Sequence, residues 1–111
     1  MMEKSLKYLN DILLAIKLIE DFTNEITDFN TYNLDLKTQS AVERQLAIIG
    51  EALNHFKKNE ATIQIQNDKQ IVSLRNRLVH AYDSIDNSIV WVIISKHLMP
   101  LKSEIEKLIL D

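Results

Sequence analysis

The chain has 111 residues, 46% of them hydrophobic and 26% charged, with 13 basic residues against 16 acidic ones and a net charge of −3. That length predicts one domain, residues 1–111, with one hydrophobic core of modest size. The acidic balance excludes a broad basic surface for duplex nucleic acid, so an RNA would have to be met by a local basic pocket, and the lack of Cys excludes disulfide staples and thiolate metal sites.

Gly and Pro each occur once. The turns of β-proteins lean on these residues, so the composition predicts an all-α chain of long helices. No internal repeat or low-complexity segment is present. Charges interrupt the N-terminal stretch too often for a signal peptide or a membrane span, and a soluble cytoplasmic protein is expected.

A first helix is predicted from about Met2 to Phe29. Leu6, Leu9, Ile12, Leu13, Ile16, Ile19, Phe22 and Ile26 recur at three- and four-residue steps, as one stripe of a helix. Asn30-Thr31-Tyr32-Asn33 then reads as a polar break. A second helix begins near Asp35 or Thr38, with Ser40 and Glu43 as a capping-box pair, and runs to Lys58. Its seam is Val42, Leu46, Ile49, Leu53 and Phe56. Gly50 inside it costs about 1 kcal/mol relative to Ala, which the close approach of another helix would offset.

After a polar connection, Asn67 or Asp68 can cap a third helix through His80 or slightly beyond. Asp83-Ser84-Ile85-Asp86 breaks it, and Asp86 can cap a fourth. Local propensity in Ile89-Val90-Trp91-Val92-Ile93-Ile94 favours a strand, but no second strand exists to pair with it, so a largely buried helix is predicted. Pro100 suits the first turn of a last helix bearing Leu101, Ile105 and Leu108.

The third helix holds the residues suited to chemistry. On a wheel of roughly 100° per residue, Ile71, Leu74, Leu78 and Ala81 are read as the core face, and Arg75, Asn76, His80, Tyr82 and Asp83 as the opposite half. Val72 and Val79 sit within that polar arc, which implies burial against another helix or another copy of the chain. An imidazole takes and returns protons near neutral pH, Arg offers paired donors to phosphate oxygens, and Asn can donate to a phosphate or hold the His in one orientation. That set suits metal-free RNA cleavage, in which the 2′-hydroxyl attacks its own phosphorus. Spacing alone nevertheless favours an ordinary surface pair. Arg77 reads as solvated, and His55 and His97 as isolated. The His and acidic residues lack the spacing of a metal site, and no Gly-rich phosphate loop is present. Glu51 reads more readily as a boundary or interface residue than as a functional carboxylate.

The string Arg75-Asn76-Arg77-Leu78-Val79-His80-Ala81-Tyr82 resembles the signature of HepT-like toxins of the HEPN superfamily. In that signature Arg-Asn is followed after four residues by His, any residue and Tyr. The upstream block Val42 to Ala52, ending in Ile49-Gly50-Glu51-Ala52, resembles a second recurrent block of the family, and Ile85-Asp86 with Ile89-Val90-Trp91 also fits. The resemblance spans essentially the whole chain. One departure is Asn67-Asp68-Lys69, where the family often has an aromatic residue or proline, and it implies a looser start to the third helix.

The resemblance implies an up-and-down bundle of four to five helices and a homodimer. Arg75, Asn76 and His80 of both subunits would line a composite ribonuclease cleft that uses no cofactor and no metal. It further implies a toxin–antitoxin setting, with a minimal nucleotidyltransferase antitoxin that transfers AMP to Tyr82. The alternatives are a non-catalytic HEPN module that binds a nucleotidyltransferase or nucleotide, and a plain helical dimerisation domain. The titratable His80 argues for catalysis, because a pure binder does not require it.

Overall fold

Leu9, Ile12, Ile16 and Ile19 are fully buried along one side of the first helix, α1 (Glu3–Phe22), as their spacing requires. The computed structural model describes residues 1–80 and 85–111. Among them the regular structure is entirely helical, so the expectation of an all-α bundle holds. The helix predicted to reach Phe29 stops at Phe22. There Thr23 turns back on the last turn, its hydroxyl donating to the Ile19 carbonyl at 2.8 Å.

The predicted polar break is instead a short helix, α2 (Phe29–Leu34). Asp28 starts it by accepting the Thr31 N–H at 2.8 Å, which satisfies one of the donors left open at a helix start. The polar letters around Tyr32 conceal a fully buried ring, which packs against Trp91 at 5.5 Å between centroids. Helix α3 (Leu36–Asn59) follows at once. Its cap is Asp35, which accepts from the Thr38 N–H and hydroxyl, so the Ser40–Glu43 box is not used.

Four contacts fix helix directions. Ser5 and the Met2 N–H, at the start of α1, both donate to Glu60 at the end of α3. Those two helices therefore run antiparallel. Helix α4 (Lys69–His80) is antiparallel to α3 in turn, because Glu51 and Lys57 of α3 meet Arg75 and Asp68 respectively. The three make an up-and-down layer, with Val42, Leu46, Ile49, Leu53 and Phe56 buried between them.

The strand-like apolar run is helical, as predicted. Asp86 caps α5 (Asn87–Val92) through the Ser88 N–H at 2.9 Å. A π-helical segment, Ile93–His97, leads directly into α6 (Leu98–Leu110). The two predicted helices are thus one rod. Ile93 and Leu98 are both buried although five residues apart. Steps of about 100° would put them on different sides of an α-helix, whereas an i→i+5 turn restacks them and keeps both in the core. Pro100 lies in the first turn of α6 and lacks the N–H that a helix would use there. Among the described residues no helix is long and apolar enough to cross a membrane.

Candidate active site

Helix α4 carries Arg75, Asn76 and His80, and its start is tied down from two sides. Glu104 of α6 accepts the backbone N–H groups of Gln66 (2.8 Å) and Asn67 (3.1 Å) and the Asn67 side-chain amide (2.9 Å). Asp68 is only 2% exposed and forms an ion pair with the Lys57 ammonium, while its carbonyl accepts the Val72 N–H. Burying that carboxylate would be costly without its cation. The looser start implied by Asn67-Asp68-Lys69 is therefore corrected: Asn67 and Asp68 are the anchors.

Ile71 and Leu74 are buried and Leu78 is packed against the core, as the wheel predicts. Arg75 is not on the far side. It lies one turn beyond Ile71, about 40° around the axis, so its stem stays beside the core face. Its Cβ and Cγ cover Gly50 of α3, and a Cβ added at residue 50 would lie 2.7 Å from Arg75 Cγ. The glycine thus meets a side chain of α4. Val72 packs against the chain's own core, so a helix of the same chain accounts for it, whereas Val79 lines a cleft.

The Arg75 guanidinium is held at two points. Nη1 donates to Asn76 Oδ1 at 3.3 Å, and Nη2 donates to Glu51 Oε2 in an ion pair. The other Glu51 oxygen, Oε1, lies 3.1 Å from His55 Nε2. The His55 ring stacks on Tyr8 of α1, with centroids 5.2 Å apart and planes 17° from parallel. An Arg has five N–H donors, so three remain after these two contacts.

This chain of contacts edges a cleft of about 470 Å³ between α1, α3 and α4. Arg44 and Arg75 bring positive charge to it, Asp11 and Glu51 negative charge, and Ala47 and Ile48 apolar surface. Asp11 also binds Lys7 at 2.8 Å. The cleft thus holds two guanidinium groups balanced by two carboxylates, rather than the purely basic pocket expected.

Asn76 and His80 are exposed on the adjoining strip of α4, one turn apart, with His80 the last described residue of the helix. The structure brings Asn76 to Arg75 by a hydrogen bond and leaves His80 on the surface beside them. Tyr82, together with Ala81, Asp83 and Ser84, lies outside the described residues. Arg77 is exposed, as expected. Glu51, read as a boundary residue, and His55, read as isolated, instead join Tyr8, which the pattern did not single out, in this network. The i,i+4 spacing of Glu51 and His55 on one helix was the available signal; nothing in the sequence pointed to Tyr8. Among the described residues no three His, Asp or Glu side chains gather as a metal-binding group.

Residues 12–108 match a family model described as HepT-like, "Ribonuclease HepT-like". The chain is 41% identical over 105 residues to a Thermococcus cleftensis protein named "Probable ribonuclease HepT", covering 91% of this chain and 92% of the relative. Two Methanocaldococcus jannaschii proteins, provisionally named as RNases, are also similar. One is 38% identical over 105 residues, covering 94% of this chain and 86% of the relative. The other is 35% identical over 101 residues, covering 89% and 91%. No solved structure matches the chain.

Proposed function

The chain belongs to the HepT-like ribonuclease family, and from that premise we propose that it is the ribonuclease toxin of a toxin–antitoxin pair, cutting RNA by acid–base catalysis that needs no metal. The observation that carries this reading is Arg75, held by Asn76 and Glu51 at the edge of a cleft on the helix that also bears exposed His80.

The chemistry follows from the side chains. The RNA 2′-hydroxyl attacks the adjacent phosphorus, and the bond to the 5′-oxygen of the next nucleotide breaks. One imidazole removes the 2′-proton and another protonates the leaving oxygen, giving a cyclic phosphate and a free 5′-hydroxyl. Arg75 stabilises the charge that builds on the phosphorane oxygens, and Asn76 helps to orient its guanidinium.

Two imidazoles require two copies of His80. A twofold dimer with the exposed strips of α4 face to face supplies them in one composite cleft. The exposure of Asn76 and His80 supports this arrangement, and sedimentation at micromolar concentration should give a dimer. The partner antitoxin is a minimal nucleotidyltransferase that silences the enzyme by placing AMP on Tyr82.

The test is to incubate purified protein with RNA in excess chelator and map the new ends. The parent chain should yield cyclic phosphates, and His80→Ala should cut at least a hundredfold more slowly, within the range of about 10²–10⁴ that acid–base help supplies. If the parent binds its nucleotidyltransferase but leaves RNA whole, the chain is a non-catalytic module instead.

A further inference from the structure

The Tyr8–His55 stack has no role in the reaction just described, yet it stands in the same cleft as Arg75. Tyr8 covers one face of the imidazole, and the His55 side chain is still 44% exposed. His55 also lines the cleft, so part of its uncovered surface is open to it. Glu51 alone separates His55 from Arg75: one carboxylate oxygen meets the imidazole and the other the guanidinium. A flat aromatic surface therefore lies one carboxylate away from a phosphate donor. Phosphate and base in a nucleotide are likewise separated by a single ribose.

The rest of the cleft suits a base. Ala47, Ile48 and Val79 provide apolar lining, and Asp11 offers an acceptor to base N–H groups. Arg44 adds a second cation for a neighbouring phosphate. Proteins commonly hold unpaired RNA bases on His and Tyr rings next to basic groups.

We propose that this cleft is a nucleobase subsite of single-stranded RNA. A base next to the phosphate on Arg75 stacks on the open face of His55, and Tyr8 backs the imidazole from behind. Glu51 is a positioning residue that holds His55 and Arg75 at the spacing of one nucleotide. The inference rests on the ribonuclease reading for the identity of the polymer, but its test does not depend on cleavage.

The experiment measures binding of a fluorescent 2′-O-methyl RNA hexamer, which cannot be cut, to the full chain. His55→Ala should weaken binding about tenfold, in line with the loss of one base–aromatic stack. His55→Phe keeps a ring on Tyr8 and should restore most of the affinity, although it lacks the contact with Glu51. A hexamer with one abasic residue at the position facing the cleft should bind about tenfold more weakly to the parent. Against His55→Ala that same hexamer should show no further loss. Circular dichroism of each variant checks the fold. Parent-like binding by His55→Ala, or equal losses with intact and abasic hexamers, would overturn the subsite, and so would failure of the parent to bind the hexamer. Should the hexamer bind with this His55 dependence while unmodified RNA is left uncut, the subsite stands and the ribonuclease reading falls.

Discussion

Arg75 lies across Gly50, its Cβ and Cγ filling the space that any larger residue at position 50 would need. The helix interior sacrifices propensity here so that the catalytic candidate on α4 can approach α3. Gly50→Ala would recover about 1 kcal/mol of helix propensity. Against that stands an overpacking cost of about 1–3 kcal/mol, because the crowded atoms are the stem of Arg75 and not its flexible end. The expected result is a net loss of about 1 kcal/mol in urea unfolding, with RNA cleavage reduced at least tenfold as the guanidinium is displaced. Unchanged cleavage by a folded Gly50→Ala protein would show that the position of Arg75 does not matter.

Glu51 holds the end of the same side chain. Glu51→Gln keeps the shape and removes the charge, so the guanidinium loses its strongest partner and wanders. Cleavage should fall about tenfold, mainly in kcat, consistent with weaker preorganised stabilisation of the phosphorane. Stability should change by less than about 1 kcal/mol, because the pair is partly exposed. Faster cleavage by Glu51→Gln would mean instead that Glu51 competes with RNA for Arg75.

Regulation through Tyr82 predicts a separation of function. Tyr82→Phe should cleave RNA within about twofold of the parent rate, since the ring is kept and only the acceptor hydroxyl is lost. A cognate nucleotidyltransferase with ATP should silence the parent by AMP transfer and leave the variant active. A bulky group bearing a negative phosphate would oppose RNA both sterically and electrostatically. Mass spectrometry that finds AMP only on Tyr8 or Tyr32 would refute the assignment.

The helix caps predict the acid limit of the fold. Hydrogen bonds from the Thr38 hydroxyl and N–H hold the Asp35 carboxyl below its usual range, and Ser88 does the same for Asp86. The Ser5 hydroxyl, followed by the Met2 N–H, lowers Glu60. Because these groups titrate lower in the folded state, their stabilisation is complete above the ordinary carboxylate range near pH ~4. It is lost as the pH falls through the folded values below that range. Asp35→Ala should therefore lower Tm at neutral pH, and its gap from the parent should close at pH ~2–3. A gap independent of pH would show that the charged cap contributes nothing.

Much of this protein is local and was legible in the sequence. The stripes of α1 and α3, the cap at Asp86 and the helical reading of the Ile89–Ile94 run follow from periodicity and side-chain chemistry within a few residues. So does the placement of Arg75, Asn76 and His80 on one helix. Where local signals misled, a distant partner decided. Tyr32 sits among polar letters, yet Trp91 makes a buried site for it, and a predicted break became α2. Asn67-Asp68-Lys69 reads as a loose start until Glu104 and Lys57 arrive from other helices. A helical wheel ranks side chains by angle alone, and it could not show that Gly50 leaves room for the stem of Arg75. Glu51, His55 and Tyr8 become one network with Arg75 only when α1, α3 and α4 pack antiparallel. Local pattern sets most of the helices and the reactive residue types they carry. The tertiary structure decided which of those residues share a cleft, because that depends on distances between segments that local patterns do not contain.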